Sequence, residues 1–94
     1  MKDAAMSKHA SARAQQRAIP PLIVDWLFAY GASRADHSGA EILYFDHAAR
    51  RRIGRTVGQQ IVDRLGALLD TYAVVSPEGT VITVGHRLKR LARA

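Results

Sequence analysis

The chain has 94 residues, no cysteine, and 14 Lys+Arg against 8 Asp+Glu, for a formal net charge of +6. That length suits a single domain with a modest core, and the missing cysteines exclude a disulfide framework, a thiolate zinc site and a cysteine nucleophile. No apolar leader opens the chain and no window nears about eighteen uninterrupted apolar residues, so a cytoplasmic protein without a membrane span is expected.

Residues 1–6 read as a disordered start to a domain over 7–94. Ser7 is a good N-cap, and the helix formers after it predict a first helix over 8–18. Ile19-Pro20-Pro21 ends it, because proline removes a donor and disfavours helix at the residue before. A second helix follows at once, with proline in its first turn, Gly31 past its end, and Leu22, Ile23, Trp26, Leu27 and Tyr30 at helical spacing.

The segment 32–40, with Asp36, Ser38 and Gly39, reads as a polar loop. EILYFD at 41–46 reads as a strand. Asp46 caps a helix from His47, in which Ile53, Val57, Ile61, Leu65, Leu68 and Leu69 keep a near-helical period while Gly54 and Gly58 invite a kink or a split. TYAVVS and TVITV flank Pro77-Glu78-Gly79 and predict a hairpin. Leu88–Ala94 reads as a short helical or frayed tail. The expected fold is α+β, in the order α-α-β-α-β-β: two N-terminal helices and a three-stranded, mostly antiparallel sheet with a helix inserted between strands 1 and 2.

His9, Arg13 and Arg17 stand at i, i+4 and i+8 and share one helical stripe. That stripe suits a phosphate backbone, since guanidinium binds phosphate bidentately and imidazole exchanges protons near neutral pH; a solvated polar face explains the spacing equally well. His86 and Arg87, followed by Lys89 and Arg90, stand where the last strand gives way to a basic tail. They read either as a rigidly held site or as a charged tail with His86 bonded to backbone. Arg50, Arg51 and Arg52 fan around a helix, where they line a groove for nucleic acid or solubilise a face. Tyr44 and Tyr72, on strands, offer phenols or stack on a base, or simply pack in the sheet. Histidine spacing of the kind that binds metal is absent, as are nucleotide-loop and serine-hydrolase motifs, so neither metal nor cofactor is expected.

HAxxRxxQRxIP (His9 to Pro20), LYFD and VVSPEGTVITVGHRLKR resemble a family of short bacterial and phage-associated domains of unknown function, over roughly residues 7–90. That family is similar, more distantly, to the RelE- and BrnT-like toxins, small metal-independent ribonucleases on an α+β scaffold. The resemblance implies an active site shared between helix 1 and the sheet, with His9 and Arg13 contributed by the helix and His86 and Arg87 by the strand. The long third helix departs from that pattern.

The expected function is a basic RNA-binding domain acting as a toxin-like endoribonuclease, with His9, His86, Arg13 and Arg87 catalytic. Arg17, Arg50, Arg51, Arg52, Lys89 and Arg90 would bind RNA, and an acidic antitoxin-like protein would be the partner. The alternative is a non-catalytic interaction module, a homodimer or a subunit of a larger complex, because helix 2 carries Val24 and Phe28 off its main apolar face.

Overall fold

A computed structural model describes residues 6–36 and 38–86. Among these, four α-helices and a four-stranded antiparallel sheet form an α+β unit: α1 (Lys8–Gln16), α2 (Pro21–Tyr30), β1 (Ala32–Ala35), β2 (Glu41–Tyr44), α3 (His47–Val57), α4 (Gln59–Leu65), β3 (Thr71–Val75) and β4 (Val81–His86). A 3-10 turn, Gly66–Asp70, leads into β3. The strands lie in chain order β1-β2-β3-β4, with both helices α3 and α4 inserted between the neighbouring strands β2 and β3.

The extra strand corrects the expected three-stranded sheet. β1 has the sequence ASRA, which carries no β-branched or aromatic residue. Its pairing with β2, Ala32 opposite Tyr44 through Ala35 opposite Glu41, makes it a strand. Asp36 stabilises the connection, its Oδ1 accepting from Ser38 N (2.8 Å), Ser38 Oγ (2.8 Å) and Ala40 N (3.1 Å).

The predicted long third helix is two helices. Gly58, at φ 93° and ψ 148°, occupies backbone space open essentially to glycine alone, and the chain restarts there as α4. Asp46 caps α3 as expected, its Oδ1 accepting from Ala49 N at 2.8 Å.

Helix α1 starts at its Ser7 cap and stops at Gln16, two residues short of the expected end. It finishes in a Schellman turn: Ala18 N donates to the Gln15 carbonyl (3.2 Å) and Ile19 N to that of Ala14 (2.9 Å). Ala18 takes the left-handed position usually given to glycine, at φ 53°. The first described residue, Met6, forms a parallel bridge with Val81 and packs on the core; the rest of the expected disordered start, residues 1–5, lies outside the described residues.

Leu43, Ala73 and Val84 stand side by side across β2, β3 and β4 and point into one core with Ala10, Ala14, Ile23, Leu27, Ala49 and Ile53 from the helices. All of these are buried. Because strand side chains alternate, the neighbouring positions face the other way, and these form the outer face of the sheet.

Candidate nucleic-acid interface

Two rows of cross-strand neighbours build the outer face. One runs Ala32, Tyr44, Tyr72, Gly85; the other runs Arg34, Ile42, Val74, Thr83. Each of these residues except Gly85 keeps partial exposure. The face therefore presents two adjacent phenols on an aliphatic bed, with a guanidinium on the β1 strand.

Arg17 supplies the second guanidinium. It is the C-cap of α1, and its Nη1 donates to the Val84 carbonyl of β4 at 2.8 Å. A Cβ placed on Gly85 would lie 3.2 Å from that same Nη1, 3.1 Å from Tyr72 Cε1 and 3.2 Å from the Tyr72 hydroxyl oxygen. The cation and the phenol thus converge over Gly85. That bond fixes the guanidinium, and its remaining N–H groups stay available to a phosphate.

His86 takes no part in this face. It follows Gly85 on β4 and stands opposite Thr71, a fully buried residue, so its ring lies on the core side. Its Nε2 lies 3.3 Å from the Arg17 carbonyl, and its buried Nδ1 has no partner among the described residues; nor has Thr71 Oγ1. Backbone bonding was one of the two roles open to His86 from sequence.

His9 is exposed in the first turn of α1. Eight residues at roughly 1.5 Å each separate it from Arg17 by about 12 Å along the axis, and helical side chains tilt toward the N-terminus, further from His86. The structure therefore does not bring His9 and His86 together as an acid–base pair. Arg13 shares the α1 stripe with His9 and Arg17 and is half-buried. Arg87, Lys89 and Arg90 lie outside the described residues.

Two of the three consecutive arginines tie the fold together. Arg50 Nη2 donates to the Leu69 carbonyl (2.8 Å) and to Asp70 Oδ1 (2.9 Å), joining α3 to the start of β3. Arg52 donates to the Tyr30 carbonyl at the end of α2. Arg51 is exposed. Sequence reasoning passed over Arg34 because it was read as lying in a loop; its charge was the only signal, and its place on the face follows from pairing with β2.

Comparison of the chain with protein-family models, with characterised proteins and with solved structures finds no match.

Proposed function

We propose that this protein binds single-stranded RNA across the outer face of its sheet. The observation that carries the reading is the direct pairing of Tyr44 with Tyr72 on that face, with Arg17 Nη1 converging with the Tyr72 phenol over Gly85. Aromatic faces stack on unpaired bases regardless of sequence, by about 1–3 kcal/mol per base, and flanking guanidiniums hold the backbone. Tyr44 and Tyr72 are the stacking residues, and Arg17 and Arg34 take phosphates at the two sides of the sheet. The net charge of +6 supplies the long-range attraction. The length of α1 between His9 and Arg17, whose carbonyl His86 meets, gives no support to cleavage by a His9–His86 pair, so the function proposed is binding.

The test is fluorescence anisotropy with a labelled single-stranded RNA. Tyr72→Ala should weaken binding by about tenfold or more, the equivalent of one lost stacking contact. Unchanged affinity in a folded Tyr72→Ala, Tyr44→Ala double variant would exclude the sheet face. Incubation with RNA in EDTA checks the cleaving version, which requires cyclic-phosphate ends that vanish in His9→Ala.

A protein-interaction reading also has one specific observation. Leu22 and Phe28 on α2 are 52% and 45% exposed, large apolar side chains that a second copy of the chain would cover. Light scattering over a concentration series, compared with a Leu22→Asp, Phe28→Asp variant, tests it: a dimer lost in the variant supports self-association, and a monomer throughout removes it.

A further inference from the structure

A cleft of about 380 Å³ opens between α3 and α4, on the helical side of the domain. Its volume falls at the lower end of the roughly 300–1,000 Å³ typical of small-molecule sites. His47, Arg50 and Arg51 form one wall, from α3. Gln59 and Asp63 form the other, from α4, with Val62 and Gly66 completing the lining.

The two walls differ in chemistry. On α3, the bonds from Arg50 Nη2 to Leu69 and Asp70 hold the guanidinium in place, and its Nη1 and Nε have no acceptor among the described residues. Arg51 has no bonded partner among them either. On α4, Gln59 Nε2 donates to Asp63 Oδ1 at 2.9 Å, which sets the carboxylate as a fixed acceptor with further lone pairs to offer. Asp70 already balances Arg50, so Arg51 and His47 face Asp63 across the opening. A simple anion would be repelled by Asp63, and a simple cation by Arg51. The complementary occupant is anionic at one end and a hydrogen-bond donor at the other.

We infer that this cleft binds a ribonucleoside monophosphate, either free or as the phosphorylated 5′ end of an RNA strand. The phosphate sits on Arg51 and Arg50 beside His47, and the ribose hydroxyls or the base amino group donate to Asp63. The site stands apart from the sheet face and does not depend on it.

The experiment is calorimetric titration of the full chain with adenosine 5′-monophosphate, adenosine and inorganic phosphate, followed by 5′-phosphorylated and 5′-hydroxyl forms of one short RNA. Adenosine 5′-monophosphate should bind at least about tenfold more tightly than adenosine or phosphate, the yield of one charge-assisted hydrogen bond. Arg51→Gln and Asp63→Asn, both at exposed positions, should each lower that affinity by about tenfold. Arg55→Gln removes the same charge from α3 outside the cleft and should leave it unchanged. Tight binding of the free nucleotide without a difference between the two RNA forms identifies the nucleotide as the source, and a preference for the phosphorylated RNA in addition identifies the strand end. Equal affinity for adenosine 5′-monophosphate and adenosine, or equal loss in Arg55→Gln and Arg51→Gln, overturns the inference. Unchanged RNA affinity in the folded Tyr72→Ala, Tyr44→Ala double variant, with nucleotide binding present, would count against the proposed function alone.

Discussion

Tyr72 fills the space that Gly85 leaves empty on the neighbouring strand, its Cε1 lying 3.1 Å from where a Cβ on Gly85 would stand. The two residues are directly paired, so the glycine sets how far the phenol leans toward β4 and Arg17.

Enlarging Gly85 should therefore move the site before it breaks the fold. Alanine displaces the ends of two long side chains by a few tenths of an ångström; valine brings further methyl groups to the same spot. Gly85→Val is expected to cost about 1–3 kcal/mol of stability by overpacking and to weaken RNA binding further than that loss explains. Urea denaturation and anisotropy on one preparation separate the two effects. Full affinity in a destabilised Gly85→Val would place the RNA elsewhere.

Arg17 and Arg34 should appear in the salt dependence of binding. Each phosphate contact on a single strand contributes roughly 0.7 to the slope of log affinity against log salt, so Arg17→Gln with Arg34→Gln should flatten it by about 1.4. Arg17→Gln should also lower stability by about 1 kcal/mol through loss of its bond to Val84. An unchanged slope would show that neither side chain meets a phosphate.

Ala18 sits in left-handed backbone at φ 53°, where a Cβ is unfavourable by roughly 1–2 kcal/mol. Ala18→Gly relieves that contact and loosens the unfolded chain, which leaves an expected net gain of up to about 1 kcal/mol in thermal denaturation. A loss of stability would mean that the turn holds Arg17 without strain.

Thr71 presents a different imbalance, since its hydroxyl is buried without a partner among the described residues. Thr71→Val replaces it with a methyl group, and stability should rise by about 1 kcal/mol in urea denaturation. A fall of the same size would show that the hydroxyl is bonded in solution, with His86 Nδ1, also without a partner among the described residues and opposite Thr71 in the strand pair, as the first candidate.

Much of the secondary structure was legible because its signals are local. Ser7 and Asp46 cap the helices that their positions announce, Pro21 opens α2, and β-branched runs on either side of Pro77-Glu78-Gly79 form the β3–β4 hairpin. Of the residues on the outer face, Tyr44 and Tyr72 were read either as base-stacking or as simply packed in the sheet, and Arg17 as an RNA-binding residue or part of a solvated face. His47, exposed at the start of α3, lines the α3–α4 cleft, whose walls belong to separate helices.

The sequence by itself determined where α1, α2 and α3 begin, where β2, β3 and β4 run, and the positive charge, since capping, periodicity and composition act over a few neighbouring residues. Only the tertiary structure decided that ASRA is a strand, because its extended form depends on hydrogen bonds to β2 rather than on its own side chains. It also decided which cations share a surface. His9 and Arg17 are eight residues apart on one stripe, yet the length of α1 keeps His9 away from His86, whereas 67 residues of chain separate Arg17 from the Val84 carbonyl that it holds. Helical rise fixes distances along α1, and sheet pairing fixes distances across the domain, so the site consists of the residues that pairing, and not sequence spacing, brings over Gly85.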